Sequence, residues 1–326
     1  MRIIEDIQKI DAIEKGCVLS IGNFDGVHRG HQKILARARQ IADERGAEVV
    51  ILTFDPHPLA FLYPERAPGL LTPLLLKRHL LEELGVDVRL VVKASQEVLS
   101  MGPEEFIEHF LVRHIRPCCV VEGEDFNFGA KRAGDVEFLR QSGKEHGFEV
   151  EVVEAEKIEI PGDDVLKVSS TLIRYMLEGG EVSDAAFALG RCYKLIGQVV
   201  SGRGKGKELG FPTINMAIGS QMIVQEGVYA GRIGIADNKQ GVCQAKAETN
   251  AIFSIGQART FGEDIDLLVE AHVLNGNFEV KQGAWMAMDF VDRIRPQHKF
   301  ASEEDLVEQI IRDCAQAEKM LKKGKF

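Results

Sequence analysis

The sequence predicts an α/β protein of two modules, a parallel sheet wrapped by helices and then a compact antiparallel β-barrel followed by a terminal helix. Three observations carry this expectation. The chain has 326 residues, about twice the usual domain size, so two hydrophobic cores are expected. From residue 17 short β-rich runs alternate with helical ones, which marks a parallel sheet with helices on its faces. After about residue 185 the pattern changes to short strands between glycine-rich turns, which marks a barrel. The division is placed between 1–184 and 185–326, with 178–191 as the joint.

In the first module 17–21, 48–54, 86–92, 119–122 and 148–153 read as strands, because each is a short run rich in β-forming residues. Between them 32–44, 73–84, 103–114 and 135–146 carry apolar residues at helical spacing. A further helix is expected from Ser170, with Ser169, Ser170 and Thr171 as capping side chains and Gly179-Gly180 as its end. In the second module 193–200, 227–235, 242–255, 267–273 and 285–293 read as strands. The terminal helix opens on Ser302-Glu303-Glu304-Asp305 and carries Leu306, Ile310, Ile311 and Cys314 on one face.

Composition excludes several classes. With 45% hydrophobic and 28% charged residues, the chain reads as an ordinary globular protein. A net charge of -10 argues against a nucleic-acid partner, whose footprint is basic. No apolar run approaches the ~20 residues of a membrane span, and the acidic start Glu5-Asp6 is unlike a signal peptide. A cytoplasmic protein with no membrane partner is expected, with room for a weak or transient homo-oligomer. The six cysteines show no C-x-x-C spacing, so neither zinc nor a redox pair is implied.

The first strand runs into Gly22-Asn23-Phe24-Asp25-Gly26-Val27-His28-Arg29-Gly30-His31 and then a helix. Open parallel sheets bind ligands beyond the carboxyl ends of their strands, and a helix start offers free N–H groups and a positive dipole end to phosphate. His28 and His31, three apart, can face one anion, and Gly30 has no Cβ to obstruct a phosphoryl oxygen. From 9 His and 32 Gly in the chain, an H-x-G-H is expected by accident only about 0.02 times. His57, after the second strand, adds a donor. Asp125 and Asn127, after the fourth, add acceptors. Ser170, Thr171 and Arg174 share one helical turn, where two hydroxyls and a fork-shaped, permanent cation can close on a triphosphate.

In the second module Gly202-Arg203-Gly204-Lys205-Gly206-Lys207 forms a flexible, positively charged flap that is not a Walker A loop. Thr213 and Asn215, two apart in an extended stretch, point their oxygens to one side. Such hard, neutral ligands suit magnesium beside nucleotide phosphates. Glu270 and His272 alternate along a strand, and a carboxylate beside Mg-ATP is a reasonable general base for a primary alcohol.

The H-x-G-H at 28–31 with Ser169-Ser170-Thr171-Leu172-Ile173-Arg174 resembles the nucleotidyltransferase superfamily, whose first module is a Rossmann-like parallel sheet. Gly22-Asn23-Phe24-Asp25-Gly26-Val27-His28 is similar to its FMN-adenylylating branch. Gly210-Phe211-Pro212-Thr213-Ile214-Asn215, Gly227-Val228-Tyr229-Ala230, Ser254-Ile255-Gly256 with Thr260-Phe261, Glu270-Ala271-His272, and Arg293-Ile294-Arg295-Pro296 with Phe300 stand in riboflavin-kinase order. Together they resemble the prokaryotic bifunctional riboflavin kinase/FMN adenylyltransferase (FAD synthetase) family.

The resemblance implies that the C-terminal module phosphorylates riboflavin to FMN and the N-terminal module adenylylates FMN to FAD, with ATP as co-substrate and Mg2+ as the metal. It gives His28, His31, Arg174 and Glu270 catalytic roles, and Thr213 and Asn215 to magnesium. Gly22, Asn23, Phe24, Asp25, Gly30, Ser170, Thr171, Gly202, Gly206 and Lys207 fall to ATP, and His57, Asp125, Asn127, Arg293 and Arg295 to the flavin. The chain departs from the family at Ile214 (usually Ala), at Arg259 (usually Pro), at Leu274-Asn275-Gly276 (usually Leu-Asp-Phe) and along 277–283. The alternative is that one module alone is active and the other is a flavin-binding scaffold or regulatory unit.

Overall fold

The protein is described by a computed structural model covering residues 1–5, 13, 15–160, 165–202, 204–257, 267–274 and 280–322. By compactness these form two units, Met1–Pro68 with Lys77–Ser169, and Gly69–Leu76 with Ser170–Phe326.

The first unit is built from β1 (Arg2–Ile4), β2 (Val18–Ile21), α1 (Arg29–Arg45), β3 (Val49–Asp55), α2 (Pro58–Leu62), α3 (Leu74–Glu83, shared with the second unit), β4 (Val88–Lys93), α4 (Gln96–Ser100), α5 (Pro103–Phe106), β5 (Cys119–Gly123), β6 (Asn127–Phe128), β7 (Gly134–Asp135), α6 (Val136–His146), β8 (Glu149–Val153), β9 (Lys157–Glu159) and β10 (Val165–Lys167). Six strands form one sheet in the order β1-β4-β3-β2-β5-β8, and each neighbouring pair is parallel. Both faces are buried, as all-parallel sheets require. Leu19, Val50, Leu52, Leu90 and Val120 meet Phe106, Phe110 and Ile115 on one side. Val18, Val49, Ile51 and Val121 meet Leu35, Ala38, Ile41 and Leu81 on the other. Strand β1 carries no sequence signal, because three residues show no periodicity.

Helix α1 starts earlier than the expected residue 32, since a histidine caps it. The apolar spacing over 103–114 predicts a single α-helix. Instead α5 passes at Ile107–Ile115 into a π-helix, where the Arg116 N–H reaches back five residues to the Leu111 carbonyl.

The second unit contains α7 (Ser170–Gly179), α8 (Val182–Leu189), β11 (Tyr193–Val200), α9 (Lys205–Glu208), β12 (Ile214–Ile218), β13 (Gly227–Ala236), α10 (Lys239–Gln244), β14 (Thr249–Gln257), β15 (Leu267–Val273), β16 (Trp285–Arg295) and α11 (Glu303–Lys322). Its six strands close a barrel in the order β11-β12-β15-β14-β13-β16, every pairing among its described residues being antiparallel. Stretch 242–255, expected as one strand, is divided between α10 and β14. Asn238 Oδ1 accepts the Gly241 N–H at 2.8 Å and starts a helix where apolar residues alone read as strand. The segment 178–191, read as a joint, carries α8, whose Ala185, Ala186 and Leu189 are buried. Ala317 and Leu321 seat α11 on Ala230, Ile252 and Val291 of the barrel.

All six cysteines are free thiols, three of them buried and three half-buried. Burial pushes Cys17 up to about 12 and Cys119, Cys192 and Cys314 up to about 11. Among the described residues no helix is long and apolar enough to cross a membrane. The departures at Arg259 and 275–279, with Thr260, Phe261 and Arg203, lie outside the described residues.

Candidate active sites

The order of the parallel sheet reverses at β2, which has β3 on one side and β5 on the other. A ligand crevice belongs at such a point. The segment leaving β2 is under backbone strain, with Phe24 at φ 48 and Val27 at φ 41. A β-branched residue at positive φ is an outlier that only its surroundings can hold, and both side chains are almost fully buried.

His28 is the N-cap of α1, and its Nδ1 accepts the His31 N–H at 3.3 Å. In the neutral ring the proton then sits on Nε2, which makes that nitrogen a donor. The His31 ring stacks on it with centroids 3.6 Å apart and planes 16° from parallel. A Cβ on Gly30 would stand 3.2 Å from the His28 ring, so this glycine makes room for the imidazole. The Asn23 carbonyl accepts from Lys77 Nζ at 2.9 Å, and the Asn23 amide lies 3.1 Å from His57 Nε2. The other nitrogen, His57 Nδ1, accepts from the Leu59 N–H at 3.1 Å and so caps α2. Gly22 packs under the Phe24 ring, with an added Cβ 3.3 Å away, and Asp25 is buried. Nothing in the local sequence marks Lys77, because one lysine in an amphipathic helix carries no signal.

Other expected residues have local partners. Asp125 pairs with Lys167 at 2.7 Å, and Asn127 Nδ2 donates to the Asp125 carbonyl at 2.6 Å, which fits a turn. Ser170 and Thr171 open α7, and Arg174 Nε donates to the Gly69 carbonyl at 3.0 Å. These three fall in the second compact unit.

In the barrel, β12 and β15 place Asn215 directly opposite Glu270. Thr213 Oγ1 donates to Glu270 Oε1 at 3.3 Å. Residues 55 and 57 positions apart in sequence thus share a cavity of about 780 Å³, which Gly202, Gly206, Thr213, Asn215, Glu270 and His272 help to line. His272 Nδ1–H donates to the Pro212 carbonyl at 2.8 Å and fixes the strand entry beside Thr213. At Gly202 and Gly206 the flap lies close against Asn215, Thr213 and Phe211. A Cβ on Gly202 would fall 2.1 Å from Asn215 Nδ2, and one on Gly206 would fall 2.5 Å from the Phe211 carbonyl. Lys205 lines the cavity and pairs with Glu303 at 3.4 Å. Lys207, the lysine singled out from the sequence, is exposed and outside that lining.

Arg295 also lines the cavity, gripped by both oxygens of buried Asp313 at 2.9 to 3.2 Å. Arg293 turns elsewhere. Its guanidinium donates to the Gly179 and Glu226 carbonyls at 3.1 and 2.9 Å and lies over the Tyr229 ring. Among the described residues no group of three or more His, Cys, Asp or Glu could hold a metal. The Thr213 hydroxyl and the Asn215 amide oxygen are hard neutral donors, a pair that fits magnesium whose other ligands are phosphate and water.

Two family models match the chain, FAD synthetase over residues 10–172 and riboflavin kinase over 189–321. A bifunctional riboflavin kinase/FMN adenylyltransferase of Haemophilus influenzae is 33% identical over 317 residues, covering 97% of this chain and 98% of that protein. The protein of the same name from Escherichia coli K12 is 32% identical over 315 residues, covering 96% of each. A crystal structure described as a macrolide-efflux protein from Streptococcus pneumoniae superposes with a TM-score of 0.80 at 25% identity, covering 95% of this chain and 96% of that one.

Proposed function

The chain belongs to the bifunctional riboflavin kinase/FMN adenylyltransferase family, and from that premise we infer the following division of labour. The C-terminal part phosphorylates riboflavin to FMN with ATP, and the N-terminal part adenylylates FMN to FAD with release of pyrophosphate. The domain boundary is drawn at 184/185 and the working compartment is the cytoplasm. The observation that carries the reading is the convergence of Thr213, Asn215 and Glu270 in one cavity, in a chain that also holds a histidine pair at a sheet switch point.

In the kinase reaction Glu270 takes the proton of the ribityl hydroxyl as its oxygen attacks the γ-phosphorus and ADP leaves. Thr213 and Asn215 would hold Mg2+, which supplies charge neutralisation of the phosphates when bound. Gly202 and Gly206 let the flap lie close over the nucleotide. Arg295, held by Asp313, is proposed on the flavin side of the cavity.

In the adenylyl transfer an FMN phosphate oxygen attacks the α-phosphorus of ATP and pyrophosphate leaves. His28 through Nε2–H, the His31 ring and the N-terminus of α1 stabilise the developing charge, and no covalent intermediate on the protein is required. Asn23, held by Lys77, keeps the loop in register. The roles of Ser170, Thr171, Arg174, His57, Asp125 and Asn127 toward ATP or flavin are proposed on the family motif.

The test is to incubate the purified protein with riboflavin, ATP and magnesium and to resolve the flavins by chromatography over time. Transient FMN followed by FAD is expected. Persistent FMN would identify the adenylylating part as idle, and unchanged riboflavin the kinase part.

A further inference from the structure

Strands β2 and β5 pair only at Val18 with Cys119 and Leu19 with Val120. Beyond that point β5 stays with β8, pairing Glu122 with Val152 and Gly123 with Val153, while β2 stays with β3. Val18 and Gly22 give their N–H groups to the Glu48 and Leu52 carbonyls on the β3 side, both at 2.9 Å. The period of two along a strand then turns the Ile21 N–H toward β5. Among the described residues no backbone carbonyl receives it. The acceptor is Glu122 Oε1, at 2.5 Å, with the buried Ser20 hydroxyl donating to the same oxygen at 3.5 Å. A side chain therefore takes the place of a ladder bond where the sheet opens.

We propose that Glu122 is a positioning residue for adenylyl transfer: by accepting the Ile21 N–H where β2 and β5 part, it holds the crevice open and fixes the direction in which the segment bearing His28 and His31 leaves the sheet. This rests on the reading of the N-terminal site given above. With only 3% of its surface exposed, Glu122 is too enclosed to serve as a solvent-facing base. Burial raises its pKa well above the usual carboxylate range, Asp125 pushes it further up, and the Ile21 and Ser20 bonds oppose the rise. That direction favours the uncharged form, in which the carboxyl repels a polyphosphate at the crevice less. What the site needs from residue 122 is an oxygen at a given reach, not a charge.

The test compares full-length wild type with E122Q, which keeps the oxygen at that reach, and with E122D and E122N, which withdraw it by one carbon. Both reactions are followed together with hydrogen exchange at the Ile21 amide. E122Q should adenylylate FMN like wild type and keep that amide protected. E122D and E122N should lose about 10²-fold in kcat for adenylylation, with KM for FMN and the kinase reaction unchanged, and should expose the amide to exchange. Full activity in the shortened variants, or an E122Q as impaired as they are, would overturn the inference. Wild type that makes no FAD would overturn the reading of the site itself and the inference with it.

Discussion

His31→Ala removes one of two stacked imidazoles and leaves the barrel cavity untouched. FAD formation from FMN should fall by about 10²–10³-fold, the range for losing a preorganised donor, while FMN formation from riboflavin persists. Glu270→Gln should do the reverse, lowering the kinase reaction by about 10²–10⁴-fold through loss of the general base. A single variant that stops both reactions in folded protein would refute two separate sites. Gly202→Ala tests the flap, because its methyl would collide with the Asn215 amide at 2.1 Å. KM for Mg-ATP should rise in the kinase assay and stay constant in the adenylylation assay.

At the level of elements, α11 is fastened by Asp313, which grips Arg295 and accepts from Gln309 at 2.9 Å. Its side chain is 2% exposed and that of Arg295 14%, so Asp313→Ala leaves a largely buried cation unpaired. A loss of about 3–5 kcal/mol in barrel stability is expected, measurable by denaturant unfolding, with a raised KM for riboflavin because α11 contributes Leu306, Ile310 and Asp313 to the cavity wall. How far such elements could be read in advance depends on where their information lies. H-x-G-H and Thr213-x-Asn215 occupy four and three consecutive residues, and the strand expected at 48–54 carries the continuous apolar run 49–52, so local pattern suffices. Helix α10 interrupts an apolar run through one Asn238 cap, and β1 is too short to show a period. The placements of Lys77, Lys205 and Arg293 depend on which distant group a long side chain reaches. No local spacing encodes that.

For the molecule as a whole, Glu122 predicts a pH dependence with a definite sign. Folding holds its proton above the ordinary value of 4.5, so the native state binds more protons than the unfolded one between 4.5 and the raised value. The contribution to stability is therefore complete below 4.5 and is lost as pH rises through the folded value. Denaturant midpoints of E122Q relative to wild type should accordingly increase from pH 4.5 upward and then level off. A constant difference across that range would refute the assignment. The same scale shows what sequence order alone could convey. The motifs stand in the order of a kinase and an adenylyltransferase, yet the pairing of Asn215 with Glu270 comes into being only when the barrel closes.

The raised thiols have a practical side. With pKa values of about 11 to 12 at Cys17, Cys119, Cys192 and Cys314, these side chains ionise to the extent of roughly one molecule in 10⁴ or fewer near neutrality. Peroxide and iodoacetamide attack the ionised sulfur, so at these four positions the protein should weather an oxidative burst or an alkylating reagent unharmed.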